Sequence, residues 1–89
     1  MAEPLVISIQ ATPNPNAAKL TLNRVVAAQG KTYRDAARAD AAWAKQLLAI
    51  AGVTQVFTVN NFVSITKTAD ADWDVIGPQA QRILQQAFS

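Results

Sequence analysis

Val53-Thr54-Gln55-Val56-Phe57-Thr58-Val59-Asn60-Asn61-Phe62-Val63-Ser64-Ile65-Thr66-Lys67 is the stretch on which the fold turns. β-Branched and aromatic residues fill it on both sides of the Asn pair, so it reads as two strands, Val53 to Val59 and Phe62 to Lys67. A two-residue loop of type I′ needs φ > 0 at both central positions, and Asn tolerates that better than other residues with a side chain. The first strand is apolar on both faces, with Val56 opposed to Phe57 and Val59, which suits a central place in a sheet.

Upstream, Trp43, Leu47, Leu48, Ile50 and Ala51 recur at spacings near 3.6. They predict a helix over Ala41 to Ala51, N-capped by Asp40 and ended by Gly52 at a left-handed position. Downstream, Trp73, Ile76, Ala80, Ile83 and Ala87 predict a second helix starting near Asp72, with Asp74 complementing its dipole. Gly77-Pro78 interrupts that pattern and predicts an irregular opening turn, with regular helix from Pro78 to Phe88.

Nearer the N-terminus, Leu5, Ile7, Ile9 and Ala11 alternate with Ser8 and Gln10, the mark of a half-buried strand. Thr12-Pro13-Asn14-Pro15-Asn16 then makes a stiff turn, because each proline removes a donor and biases its predecessor towards extended backbone. Ala18 to Asn23 alternates again and should pair antiparallel with the first strand. Gln29-Gly30-Lys31 reads as a turn, and Thr32-Tyr33-Arg34 as a short edge strand. The order is β-β-α-β-β-α: an α+β domain with an antiparallel or mixed sheet and two helices packed on it.

A chain of 89 residues has room for one domain, here residues 1–89. Its apolar fraction is 51 %, but eighteen of those residues are alanine, so the core is modest. Cysteine and histidine are both absent. That excludes disulfides, zinc and iron–sulfur ligation by thiolate, and Ser–His or Cys–His catalysis from this chain's own side chains. The net charge of +2 is spread over mixed positions instead of a dense basic face with interleaved aromatics, so nucleic acid is not an expected partner. No stretch has the length of a signal peptide or a membrane span, and a cytoplasmic, membrane-free protein is expected.

Asp70-x-Asp72-x-Asp74 imitates the opening of a calcium loop, but Val75 and Gln81 stand where that loop needs Gly and Glu. Helix capping explains it better. The six acids fall near helix starts or the terminus, and Ser8 and Ser64 lie in strands without a base. No catalytic residue, metal site or cofactor is therefore expected, and the protein reads as a non-enzyme. The loop Thr12, Pro13, Asn14, Pro15, Asn16 has two readings: a pre-stiffened surface presenting two amides to a partner, or a proline turn whose Asn side chains cap their own backbone. Trp43 and Trp73 fall on apolar stripes and read as core anchors.

Thr12-Pro13-Asn14-Pro15-Asn16, Lys19-Leu20, Gly52-Val53-x-x-Val56-Phe57, Phe62-Val63-x-Ile65-Thr66-Lys67 and Trp73 together resemble the N-terminal domain of Nfu/NifU-type iron–sulfur scaffold proteins. The match runs from about Ser8 to Phe88. In two-domain members a second domain carries the Cys-x-x-Cys motif that holds the cluster, and this chain resembles members made of the N-terminal module alone. The resemblance implies protein–protein contact with assembly or recipient proteins, with Thr12 to Asn16 as the matching loop; without Cys or His the chain is expected to bear no cluster, and a monomer or weak dimer is expected. The alternative is a stand-alone regulatory or basic-surface binding protein outside cluster biogenesis.

Overall fold

A computed structural model of the chain describes residues 4–88. The strands are β1 (Ile7–Ala11), β2 (Ala17–Leu22), β3 (Ala27–Tyr33), β4 (Val53–Asn60) and β5 (Phe62–Lys67), and the helices are α1 (Ala42–Leu48) and α2 (Trp73–Phe88). One 3-10 turn, Ala36–Arg38, precedes α1. The strands form a single antiparallel sheet in the order β1-β2-β5-β4-β3. This is the α+β class that the sequence predicts, with five strands in the sheet.

Burial alternates residue by residue along β2 and β5, so only one sheet face is sealed. On it Leu20, Leu22, Val56, Val63 and Ile65 meet Ala44 and Leu47 of α1 and Ile76, Ala80 and Leu84 of α2. The opposite face stays open. There Phe57 and Phe62 lie 6.0 Å apart, and the Lys19 ammonium stands 4.4 Å from the Phe62 ring centroid.

Several local expectations are corrected. Gln29-Gly30-Lys31 is not a turn but the middle of β3, whose pairing with β4 shifts register between Ala27 and Lys31. The Phe57 ring lies 3.5 Å from where a Cβ on Gly30 would sit, and this cross-strand packing keeps the segment extended. Asp40 does not cap α1. Its carboxylate accepts from Lys31 Nζ and Tyr33 Oη, both at 2.8 Å, and the cap position falls to Ala41, which makes no side-chain cap bond. The helix is correspondingly shorter than Ala41 to Ala51, and Ala51 is exposed.

Pro78 lies inside α2, not at its start. Its missing N–H frees only the carbonyl of Asp74, an exposed residue of the first turn, so the helix tolerates it and begins five residues earlier than Pro78. Asp72 supplies the cap, its Oδ1 accepting from Asp74 N at 2.8 Å. At the β4–β5 loop Asn60 has φ 55 and is the one non-glycine residue with positive φ among the described residues, so the loop is not the symmetric type I′ turn. Gly52 holds the left-handed position as expected, at φ 93.

The tryptophans are half-buried and do not sit at the centre of the core. Trp43 closes one end of it, edge-on to Tyr33 (6.1 Å) and Phe88 (5.4 Å). Trp73 packs at the other end with its polar edge turned to a loop carbonyl. Ile9, expected on a half-buried face, is 45 % exposed because β1 is an edge strand that α2 only partly covers.

Candidate functional site

The β1–β2 loop first satisfies itself. The Thr12 hydroxyl accepts from Asn14 N (3.2 Å) and shares its proton between the carbonyls of Asn14 (2.8 Å) and Ala17 (3.0 Å). Asn14 Oδ1 accepts from Asn16 N at 2.9 Å, and Ala17 N donates to Asn14 O at 3.0 Å. Two prolines and these bonds leave little backbone freedom. The capping role weighed for the Asn side chains therefore holds for Asn14 Oδ1, while the exposed Asn14 keeps its amide N–H donors without a protein partner among the described residues.

The loop is then tied to the rest of the molecule. Trp73 Nε1 donates to Pro15 O at 3.0 Å, reaching from the first residue of α2. Lys67 N donates to Asn16 O at 2.8 Å, and Lys67 Nζ donates to Asn16 Oδ1 and Thr68 O, each at 3.2 Å. The Lys67 side chain is almost fully buried, at 8 % exposure, and its ammonium lies 5.6 Å from the Trp73 ring centroid. Asn16 is thus turned inward as an anchor.

Neither Lys67 nor Trp73 is among the site residues expected from sequence. One signal pointed to Lys67: it is in phase with Val63 and Ile65 on the apolar face of β5, where a lysine must find acceptors. Trp73 is hidden by its place on a helical stripe that reads as ordinary core.

Between this loop, β1 and the first turns of α2 runs a groove of about 290 Å3. It is lined by Ile9, Ala11 and Ala18 from the sheet, Thr12, Asn14 and Pro15 from the loop, and Trp73 and Gly77 from α2. No acid or base lines it, and its one hydroxyl, that of Thr12, is engaged by the loop. Such a surface can bind an apolar group and orient it with rim amides.

The titratable groups lie elsewhere. Hydrogen bonds from Lys31 and then Tyr33 hold the Asp40 carboxyl below the usual range, and the same contact raises Lys31. Burial, then Asp40, raises Tyr33. Asp70 is lowered by the Thr68 hydroxyl, next by backbone N–H and by Lys67. Among the described residues no group of three or more metal-ligating side chains comes together, and no helix is long and apolar enough to cross a membrane.

A five-stranded α+β module with an apolar groove beside a braced Pro–Asn loop defines the structural class. Residues 7–89 match the family described as scaffold protein Nfu/NifU N terminal, and the chain belongs to that family. Its relatives include "Conserved virulence factor C" of Staphylococcus aureus, 34 % identical over 85 residues, and "NifU-like protein 5, mitochondrial" of Arabidopsis thaliana, 30 % identical over 87 residues. Those alignments take in 94 % and 96 % of this chain but only 22 % and 32 % of the relatives' lengths. Among solved structures, protein SAV1430 of Staphylococcus aureus superposes with a TM-score of 0.79 at 31 % identity, covering 88 % of this chain and 96 % of that one. A NifU-like protein of Saccharomyces cerevisiae shares the fold, with a TM-score of 0.84 at 21 % identity, over 96 % of this chain and 81 % of the other.

Proposed function

We propose that the chain is a non-catalytic interaction module that serves iron–sulfur cluster assembly or delivery by holding a protein partner, without carrying the cluster itself. The observation that carries this reading is the groove. The loop Thr12 to Asn16, one of the motifs that carry the family resemblance, is braced by Lys67 and Trp73 beside an apolar cleft, and no group suited to acid, base or nucleophilic chemistry faces it. Family membership supplies the cluster context. The donor set supplies the limit: these 89 residues hold no Cys or His, and carboxylates on helix caps make poor ligands for iron–sulfur clusters.

Transfer of a cluster from a loaded, cysteine-bearing scaffold to an apo-recipient, followed by visible absorption and circular dichroism, tests the proposal. Adding the chain should change the transfer rate several-fold, and Ala11→Arg, which fills the groove from an exposed position, should remove the effect. Anaerobic reconstitution of the chain alone should leave no absorption band after desalting. An unchanged transfer rate at excess chain, or a stoichiometric cluster on the chain itself, would overturn it.

A further inference from the structure

The two edges of the sheet are built differently. β3, at one edge, carries a register shift, Gly30 at mid-strand and the charge of Lys31, all devices that discourage another strand from pairing there. β1, at the other edge, pairs with β2 without a shift, and not one charged residue occurs from Pro4 to Ala18. Ile9 within it is 45 % exposed, and Val6 just before it is 56 % exposed.

The register fixes which backbone groups of β1 are spare. Asn23 N donates to Val6 O, and Leu22 N donates to Asn61 O, so odd residues of β2 bond towards β1 and even ones towards β5. In the antiparallel alternation Ser8 and Gln10 therefore face Thr21 and Lys19, while the N–H and C=O groups of Ile7, Ile9 and Ala11 point away from the sheet. No strand or side chain among the described residues takes them. The side chains of these three residues share the helix-covered face with Leu22, Leu20 and Ala18, and Ile9 and Ala11 line the groove.

We infer that the partner binds by adding an extended strand to the β1 edge, main chain against Ile7, Ile9 and Ala11. Residues of an added strand directly opposite Ile9 and Ala11 project onto the same face, so an apolar side chain there enters the groove against Trp73 and Gly77. The occupant is an uncharged segment with apolar residues at alternate positions. Its length is short, because Pro13 and Pro15 end the edge on one side. A second copy of the chain, whose own β1 is itself uncharged and apolar at alternate positions, is the competing occupant, and the sedimentation arm of the test separates it from a foreign segment. This inference rests on the groove being the partner site.

The test uses linear random 12-residue peptides displayed on phage and panned on the intact chain. The enriched peptide is then synthesised and followed by NMR. Binding should protect the amides of Ile7, Ile9 and Ala11 from solvent exchange, with Ser8 and Gln10 protected already in the free protein. N-methylation of alternate peptide residues should weaken binding about tenfold or more, and methylation of the intervening residues should not. Ile9→Pro removes one outward donor and leaves the β1–β2 ladder bonds intact, so it should abolish protection, with Ile9→Lys as a second blocking variant.

Failure to enrich a competing peptide would overturn the inference, as would a helical bound peptide or shifts confined to the Phe57–Phe62 face. So would concentration-dependent protection of Ile7, Ile9 and Ala11 without peptide, accompanied by dimer in sedimentation. If Ala11→Arg removes the cluster-transfer effect but no strand forms, only the strand inference falls. If the strand forms but transfer never responds to the chain, the proposed cluster role falls instead.

Discussion

The bond between Asn16 Oδ1 and Lys67 Nζ gives the sharpest account of how the loop is held. Lys67 is 8 % exposed, and its ammonium has two oxygen acceptors, Asn16 Oδ1 and Thr68 O. Asn16→Ala removes one of them and leaves a buried cation short of an acceptor. A hydrogen bond to a charged group is worth about 1.5–3 kcal/mol. With the Thr68 carbonyl and the Trp73 ring still in place, the lower half of that range applies, about 1.5–2 kcal/mol. Lys67→Met keeps a long apolar side chain and removes the buried charge, so by itself it should cost less than about 1 kcal/mol. In that background Asn16→Ala has no ammonium to orphan, and its cost should fall to about 0.5 kcal/mol. Urea unfolding of the four chains measures the coupling, about 1–1.5 kcal/mol. With a slope of about 1 kcal/mol per molar for a small domain, Asn16→Ala alone should lower the midpoint by about 1.5–2 M. Equal midpoint shifts for Asn16→Ala with and without Lys67→Met would refute the reasoning and assign the bracing to Trp73 and Thr12.

Asn14→Ala loses only an exposed cap and should cost about 1 kcal/mol or less by the same unfolding measurement; a larger loss would place Asn14 in the architecture as firmly as Asn16. Gly52→Ala should destabilise by about 3 kcal/mol or more, seen as a lowered thermal midpoint: Gly52 has φ 93, and an added Cβ would lie 2.5 Å from the Ala71 Cβ. Trp43→Ala should cost about 2–4 kcal/mol in denaturant, less than a fully buried indole, because Trp43 is half-buried between the Tyr33 and Phe88 rings. The Asp40 carboxyl is held below its ordinary 3.8 in the folded state, so its contribution is present above that value and disappears as pH falls through the folded pKa. The stability gap between wild type and Asp40→Asn should therefore close in acid below about pH 3.8, and a constant gap across the acid limb would contradict it.

What the sequence made legible was what depends on neighbours in the chain. Alternation placed β1 and β2, β-branched and aromatic runs placed β4 and β5, and Gly52 declared its backbone; helical spacing found Leu47, Ile76 and Ala80 on the inward faces but missed the buried Ala44 and Leu84 and counted the exposed Ala51 and Ala87. Two of the errors share one cause, a distant residue overriding a local rule. Asp40 has the right chemistry for a cap, but Lys31 and Tyr33, on a strand packed beside it, claim both carboxylate oxygens. Gln29-Gly30-Lys31 has turn composition, yet the Phe57 ring on the adjacent strand covers Gly30 and holds it extended. The loop Thr12 to Asn16 was visible as a stiff, unusual segment. The groove beside it was not, because Trp73 and Gly77 reach it from α2, which no local pattern brings to the β1–β2 end of the sheet.

The strand order has a consequence for how the chain finds its fold. β1 with β2, β3 with β4 and β4 with β5 are each neighbours in chain order, and only β2 with β5 joins segments that are not. That one pairing sets Leu20 against Val63 and encloses everything from β3 to β4 in a single loop. The loop-closure entropy of the sheet is thus concentrated at its central seam, while the flanking pairs close between successive strands. The seam also holds Leu20, Val63 and Ile65, all fully buried, so the largest entropic cost falls on a step that also buries part of the apolar core.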